Sequence, residues 1–232
     1  MGRTIDTCYM CSAIATSSEH VPPRCLFPEK KYLDETDDQR RDLITVPSCD
    51  KHNTQKSGDD EYLMYLFSML PESSAYSRII FQKAVRAARR KPQLSEAIFR
   101  NQIVINEVEA YEVDRQRVDT SIGFVARAIF FNETNLKWFA PIQVNSLIYN
   151  VPAEQDGIKI DREDILKNRA VFSENITRFL VGAKWSGANP GIFRYQYYFD
   201  GTSYLVMKFC FFDELVFEVV SHPDLWSLDF SV

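Results

Sequence analysis

The sequence predicts an α+β protein in two parts, a small N-terminal module held by a metal ion and a larger α+β body behind it. Cysteine and histidine recur at metal-ligand spacing near the N-terminus, in Cys8-Tyr-Met-Cys11 and Cys49-Asp-Lys-His52. Apolar residues follow at helical spacing, and the C-terminal third is rich in aromatic residues around an Asp200-Gly201 turn. We place the boundary between the module and the body at residue 70.

The composition is that of a folded chain. Hydrophobic residues make up 45% and aromatic residues 13% of the 232 positions, more than a disordered chain carries. The net charge of -5 argues against nonspecific nucleic-acid binding through total charge, so such binding would need a local basic patch. The chain has neither a run of about 18 apolar residues nor the apolar core of a signal peptide, which predicts a cytoplasmic protein without membrane contact.

The N-terminal module needs a metal ion because it lacks a periodic apolar pattern. Residues 1–60 are mostly polar and irregular, so the binding of a metal would supply folding energy. The Cys-x-x-Cys pair and the Cys-x-x-His pair together offer four ligands, which is the number that a structural zinc site takes. Cys25 is an alternative to His52 as the fourth ligand. Residues 43–46 are β-branched or apolar, and we expect a strand there that leads into the second ligand pair.

The rest of the chain alternates between helical and strand-like segments. Residues 59–70 and 74–91 carry apolar residues at helical spacing, and Pro71 and Pro92 end them. The pattern further predicts a short helix at 94–100, a strand at 103–113 with a helix as the alternative, a helix at 115–132, and a helix at 161–180 interrupted at Ser173-Glu174. The segment 193–220 predicts a three-stranded antiparallel meander.

Residues 8–60 resemble a known family. The order Cys-x-x-Cys, then Glu19-His20-Val-x-Pro, then Cys-x-x-His-Asn53-x-x-Lys is similar to the zinc-containing HNH endonucleases of the ββα-metal class. This resemblance covers about a quarter of the chain. It implies a strand–strand–helix module in which zinc bound by Cys8, Cys11, Cys49 and His52 is structural.

The family resemblance also implies a second, catalytic site. His20 matches the general base that activates water, and Glu19 and Asn53 match the ligands of a catalytic Mg²⁺ or Mn²⁺ ion. The family has Cys more often than His at the position of His52. Its residue that orients the base has no clear match, and our candidate is Asp42, with Thr45 or a backbone carbonyl as alternatives.

A basic helix follows the module. Between Arg78 and Arg100 the sequence has seven basic residues and one acidic residue, Glu96. Several basic residues fall on one helical face, which is typical of a surface that follows a phosphate backbone, although such stripes are commonly only solvated. The predicted nucleic-acid contacts are Lys56, which lies one turn beyond His52, and the helix residues Lys83, Arg86, Arg89 and Arg90.

These observations predict a metal-dependent endonuclease that hydrolyses phosphodiester bonds, with DNA favoured over RNA. By analogy with small proteins of the resembled family, a role in phage or mobile-element defence would suit it. The alternative is a non-catalytic zinc-finger adaptor that binds nucleic acid or a protein partner. A homodimer or a complex with a partner subunit is a further expectation, since residues 103–232 do not declare a role.

Overall fold

The computed structural model describes residues 7–53, 56–69, 74–90, 103–105, 108–110, 113–149, 154–155, 158–159 and 162–224. The chain divides into two compact units, Met1–Trp138 and Phe139–Val232, whereas the sequence had suggested a boundary at residue 70. In chain order the elements are β1 (Ser17–Val21), β2 (Ile44–Ser48), α1 (Asp50–Asn53), α2 (Ser57–Met69), α3 (Ala75–Arg90), β3 (Ile103–Ile105), β4 (Val108–Ala110), α4 (Arg115–Thr134), β5 (Gln143–Asn145), β6 (Glu154–Gln155), β7 (Ile158–Lys159), α5 (Arg162–Phe179), β8 (Phe193–Phe199), β9 (Leu205–Phe211) and β10 (Leu215–Ser221). Among the described helices, none combines the length and apolar character that crossing a bilayer requires.

The first unit begins with a strand–strand–helix arrangement. Strand β1 pairs antiparallel with β2, and the register places Glu19 opposite Val46 and His20 opposite Thr45. Because successive side chains of a strand alternate between faces, Glu19 and Val21 point to the interior with Val46, and His20 lies on the other face. Helix α1 begins directly after β2 and Cys49. The hairpin is thus followed directly by a short helix.

Helix α2 lies at the centre of the first unit. Every residue from Tyr62 to Ser68 is buried, which is expected of a helix with neighbours on all sides. It packs on α3, on α4 and on the short 3₁₀ turn Arg24–Leu26 that follows β1. Helix α4 contributes a long buried stripe to the same core, made of Val118, Ile122, Val125, Ala126, Ile129 and Phe130. The packing of α2 thus joins the hairpin to the helices.

The second unit contains a four-stranded antiparallel sheet in the order β5-β10-β9-β8. The three strands of the expected meander are confirmed, and β5 joins the edge of β10 through the pair Glu218 and Asn145. Helix α5 packs on β9, where the buried residues Ile176, Leu180, Val206 and Val220 form an apolar cluster. The aromatic residues Phe193, Phe209, Phe211 and Phe217 fill the interior of this unit.

The structure differs from the sequence-based expectations in several elements. The strand expected at 103–113 is instead two short strands, β3 and β4, that pair with each other. Helix α5 runs without a break through Ser173-Glu174, so the predicted interruption is wrong. Strands β5, β6 and β7 were not predicted. The short helix expected at 94–100 lies outside the described residues.

Candidate metal centre

The two ligand pairs predicted from the sequence come together at the base of the hairpin. The ligand atoms of Cys8, Cys11, Cys49 and His52 all lie within 4.8 Å of one another. The Sγ atoms of Cys11 and Cys49 are 3.8 Å apart, and His52 Nδ1 lies 3.4 Å from the Sγ atoms of Cys8 and Cys49. A tetrahedral zinc ion with Zn–S bonds of about 2.3 Å needs a sulfur–sulfur separation of about 3.8 Å. The four residues can therefore hold a zinc ion.

Backbone hydrogen bonds hold the ligand loops in place. The Cys8 N–H donates to Ala13 O at 2.8 Å, which closes the Cys-x-x-Cys turn, and the Tyr9 N–H donates to Pro47 O at 2.8 Å, which fastens that turn to β2. The His52 N–H donates to Cys49 O at 3.0 Å, so the second pair is set by the first turn of α1. The Lys137 ammonium donates to Cys11 O at 2.7 Å from the segment after α4. These hydrogen bonds fix the positions of the ligand loops relative to β2 and α1.

The electrostatic setting of the four ligands suits a metal ion. Burial, together with the positive charge of Lys51, lowers the pKa of His52, which keeps the imidazole in the neutral form that binds metals. Burial raises the pKa of the Cys8 thiol, so metal binding there must release a proton. Burial also opposes ionisation of Cys49, but hydrogen bonds, the first from the His52 backbone, lower the pKa of its thiol below the usual value. Among the described residues this is the one group of three or more Cys, His, Asp and Glu ligands close enough to share an ion.

Cys25 does not belong to this group. Its thiol donates to Asp60 O at 3.3 Å, beside α2. Burial, reinforced by the negative charge of Asp60, raises the pKa of Cys25 to about 12, which disfavours the thiolate that a metal would need. The structure therefore favours His52 over Cys25 as the fourth ligand.

Glu19 lies inside the module and is paired with a buried lysine. Its residue is 4% exposed, and its carboxylate forms an ion pair with the Lys56 ammonium and accepts a hydrogen bond of 3.4 Å from the Tyr9 hydroxyl. Burial raises the pKa of Glu19, and the charge of Lys56 opposes that rise. The Ser48 hydroxyl also lowers this pKa, but Oε2 has no hydrogen-bond partner of ordinary geometry among the described residues.

The position of Lys56 corrects one expectation. The residue is 6% exposed, and its ammonium lies 3.5 Å from Asp60 Oδ1 in addition to its pair with Glu19. A buried, doubly paired ammonium cannot serve as the surface contact to phosphate that the sequence suggested. Burial raises the pKa of Asp60 to about 6, while the charge of Lys56 acts in the opposite direction. The three residues form a buried charged cluster that sequence spacing could not reveal, since it depends on how α2 packs on β1.

His20 lies on the opposite face of β1 from Glu19, directly across from Thr45. It is half-buried, and burial together with the positive charges of Arg24 and Arg40 lowers its pKa. Its imidazole is consequently neutral near pH 7, the form that accepts a proton. Among the described residues no hydrogen bond of the imidazole to another side chain is found.

The remaining candidate site residues lie apart from His20. Asn53 Nδ2 donates to Ser17 Oγ at 2.7 Å, near the start of β1 rather than at Glu19. Asp42 is exposed, with a backbone φ of 53° in the left-handed region, and lies two residues before β2 begins. The register therefore gives Thr45 the place beside His20 for which Asp42 was the first candidate. No hydrogen bond joins Glu19, His20 or Asn53 to another of the three within the described part of the chain.

A cleft of about 600 Å³ opens beside the hairpin. Its lining includes Ser18 and Thr45, which share the His20 face of the hairpin, and Phe131 and Asn132 from the end of α4. Hydroxyl groups and backbone edges dominate this part of the lining. Ser17 and Val46, which lie on the opposite face of the hairpin, also line the cleft, and His20 does not.

Helix α3 presents the predicted basic residues at the surface of the first unit. Arg86, Arg89 and Arg90 are exposed and Lys83 is half-buried. The Arg86 guanidinium lies 5.2 Å from the centroid of the Tyr32 ring, which anchors it over the loop between β1 and β2. The structure thus leaves these side chains accessible, and their contact with nucleic acid stays a prediction.

No family model, no curated protein and no solved structure matches the chain. The geometry of the described residues therefore carries the functional argument. That geometry also brings two residues to the His20 neighbourhood that sequence reasoning did not select, Arg24 and Arg40. Their signal in the sequence was weak, because only Arg24 lies close to the Glu19-His20 pair.

Proposed function

We propose that the chain is a metal-dependent endonuclease of the HNH type that hydrolyses phosphodiester bonds, with DNA favoured over RNA. One observation carries the proposal. The four-ligand group fastens a β1–β2 hairpin to α1, the strand carries Glu19 and His20, and the helix carries Asn53 directly after the ligand His52. The residue types and their order on the elements agree with the zinc-containing nucleases that the sequence resembles.

His20 is suited to the role of general base. Burial and the charges of Arg24 and Arg40 lower the pKa of His20, so its imidazole is neutral and can take a proton from the attacking water. The imidazole is half-buried and is therefore partly reachable from solvent. Thr45, its cross-strand neighbour, is placed to limit the positions that the ring can adopt.

Glu19 and Asn53 would hold the divalent cation. A carboxylate and an amide oxygen are donors that Mg²⁺ and Mn²⁺ prefer, and the buried Oε2 of Glu19 has no hydrogen-bond partner among the described residues. When bound, such an ion would stabilise the charge that develops on the leaving oxygen. The buried ammonium of Lys56 favours the ionised form of Glu19, against the effect of burial, and holds its carboxylate inside the module.

A second candidate is a non-catalytic zinc-finger adaptor, and the buried charged cluster favours it. The pairing of Glu19 with Lys56 gives the carboxylate a purely structural role, and Asn53 has a partner in Ser17. In this reading the zinc group and the cluster fold a surface, and binding of nucleic acid or protein is the function.

The His20→Ala variant separates the two functions. We expect wild-type protein to nick plasmid DNA with Mg²⁺ or Mn²⁺ and the variant to lose about 10²–10⁴-fold in rate, as for removal of a general base. The variant should keep one zinc per chain, since His20 is not in the ligand group. His222→Ala is the matched control, because His222 lies beyond β10 in the second unit and should leave the rate unchanged.

The adaptor function would prevail if wild-type protein with excess Mg²⁺ or Mn²⁺ cut none of single-stranded DNA, duplex DNA and RNA. The role of His20 as general base would be refuted if His20→Ala and His222→Ala both cut at the wild-type rate, since the activity would then come from a contaminant or from another site.

A further inference from the structure

The loop between β1 and β2 carries two arginines without acidic partners. Arg24 opens the 3₁₀ turn Arg24–Leu26, four residues after His20, and its side chain is exposed. Arg40 lies on the returning part of the loop, where its Nε donates to Phe27 O at 3.0 Å. Neither guanidinium forms an ion pair with a carboxylate of the described residues.

Hydrogen bonds place Arg40 beside the turn that Arg24 opens, four residues after His20: Arg40 Nε donates to Phe27 O, and the Phe27 N–H donates to Arg24 O. Burial, followed by the charges of Arg24 and Arg40, lowers the pKa of His20. Burial also lowers the pKa of Arg40, and the charge of Arg24 adds to that effect. Glu29 and Asp38 act on Arg40 in the opposite direction, but the Glu29 carboxylate is paired with Lys31 at 2.7 Å. Two like charges are therefore held close together without a counter-charge in contact.

Backbone hydrogen bonds fix the position of Arg40 and leave most of its guanidinium group without an acceptor among the described residues. The Arg40 N–H donates to Asp38 Oδ1 at 3.1 Å, and the Phe27 N–H donates to Arg24 O at 3.1 Å, so both residues sit on bonded turns. Of the Arg40 guanidinium, only Nε has a hydrogen-bond acceptor among the described residues. Guanidinium Nη groups that lack an acceptor are suited to a tetrahedral phosphate, whose oxygens accept such bonds in pairs.

The same loop is fastened to the basic helix α3. The Tyr76 hydroxyl of α3 donates to Asp37 Oδ2 at 3.1 Å, and Gln39 Nε2 donates to the Tyr76 hydroxyl at 3.0 Å. Arg86 of α3 lies over Tyr32 of the loop. The positive charge of Lys83 also reaches this region, since it lowers the pKa of Glu29 along with Lys31 and Arg40. Loop and helix thus present their positive charges as parts of one unit.

We propose that Arg24 and Arg40 bind a phosphodiester group of the nucleic acid beside His20. The sugar–phosphate backbone of the nucleic acid then continues past Tyr32 to Lys83 and Arg86 of α3. The proposal rests on the proposed function, in which His20 acts on a phosphodiester. It adds the residues that hold the scissile phosphate or its neighbour. It also predicts the path of the bound nucleic acid across the first unit, from the β1–β2 hairpin to α3.

The test measures binding in a His20→Ala background, so that cleavage cannot obscure it. The anisotropy of a labelled duplex of about 30 base pairs gives Kd over a range of NaCl concentrations. Each phosphate contact contributes about 0.9 to the slope of log Kd against log [NaCl] on duplex DNA and about 0.7 on a single strand. Arg24→Gln with Arg40→Gln should therefore reduce the duplex slope by about 1.8 and weaken binding at low salt at least tenfold.

Matched variants control for charge and for folding. Arg115→Gln with Arg178→Gln makes the same change in net charge at exposed, acid-paired positions and should leave the slope unchanged. Arg40→Lys keeps the charge and should retain most of the slope of the parent. A zinc content of one per chain in every variant shows that the module is folded.

The proposal is overturned if the Arg24 and Arg40 double variant, with zinc retained, binds with the Kd and slope of the control double variant. This result is distinct from failure of the nuclease function. If the wild-type protein never cleaves but the slope falls by about 1.8 in the double variant, Arg24 and Arg40 bind phosphate and the nuclease function is refuted. If the protein cleaves but the slope does not change, the nuclease function stands and the two arginines are not phosphate contacts.

Discussion

At the scale of single residues, the buried ion pair between Lys56 and Glu19 affects the stability of the N-terminal module. Removing two charges from water is costly, and the mutual attraction of the pair offsets that cost only when both members are present. The Glu19 and Lys56 residues are 4% and 6% exposed, so each depends on the other. The ion pair between Lys31 and Glu29 offers a contrast, because the Lys31 side chain is 62% exposed.

We expect Lys56→Met to lower the free energy of unfolding of the first unit by about 3–5 kcal/mol, because it leaves the Glu19 carboxylate buried without a counter-charge. Glu19→Gln combined with Lys56→Met should recover most of that loss, since no uncompensated charge remains. Urea denaturation at pH 7 with saturating zinc measures both changes. Lys31→Met is the control and should change the stability far less, because its ion pair with Glu29 lies at the surface.

If Lys56→Met had the same free energy of unfolding as Lys31→Met, Lys56 would not be part of a buried charged cluster. The same measurement decides whether Lys56 is free to leave Glu19 for a ligand. A small loss would mean that the ammonium is only lightly held, and that the surface role predicted from the sequence deserves a second test.

At the scale of elements, local patterns predicted most helices and the meander but could not predict pairings. The helices expected at 59–70, 74–91 and 115–132 agree with α2, α3 and α4 within a few residues, since each has its own periodicity and stop signal. Strand β5 has three residues and no pattern, and only its pairing with β10 defines it. The continuity of α5 depends on Ser173 donating to the buried Glu218 at 2.6 Å, a contact 45 residues away in the chain.

The candidate site, too, was only partly predictable from the sequence. The four zinc ligands were predictable because each pair is local, and the spacing of a pair fixes its geometry. The partners of Glu19, His20 and Asn53 were not, because they depend on the register of β1 against β2 and on the packing of α2. Sequence reasoning therefore found the residue types of the site and missed Lys56, Arg24 and Arg40 as their neighbours.

The C-terminal end of α4 depends on one residue in the left-handed region. Asn135 has φ 59° and ψ 16°, and its N–H donates to Phe131 O at 2.8 Å. The chain then turns to place Lys137, which donates to Thr7 Oγ1 at 2.9 Å and to Cys11 O at 2.7 Å. The cap of α4 thus supports the loop that carries the first zinc ligands.

We expect Asn135→Val to lower the free energy of unfolding by about 1–2 kcal/mol, because a β-branched residue is strained in the left-handed region. Asn135→Gly should be neutral or slightly stabilising, since glycine adopts this conformation without strain. Thermal or urea unfolding of the zinc-loaded protein compares the two. Equal stabilities of the two variants would show that the cap is not strained and that Asn135 serves another purpose.

At the scale of the whole molecule, the two units should depend on zinc to different degrees. The sheet of the second unit has an aromatic core of its own, built on Phe193, Phe209 and Phe217. The hairpin of the first unit has only five-residue strands, and its attachment to α1 runs through the ligand group. An isolated two-stranded hairpin is marginal in water, so the metal must contribute much of its stability.

Removing zinc should therefore unfold the hairpin and spare the four-stranded sheet. We expect Cys49→Ser, or treatment with a strong zinc chelator, to abolish amide hydrogen-exchange protection in β1, β2 and α1, while β8, β9 and β10 keep theirs. The apparent free energy of zinc binding to small modules is about 10–16 kcal/mol at pH 7, which is large enough for this effect.

Cys25→Ser is the matched control, because the thiol of Cys25 bonds to Asp60 O and lies outside the ligand group. It should keep one zinc and full protection of the hairpin, and loss of zinc from this variant would instead make Cys25 a ligand. Simultaneous loss of protection in both sheets would mean that the two units fold as one, against the division of the chain at Trp138.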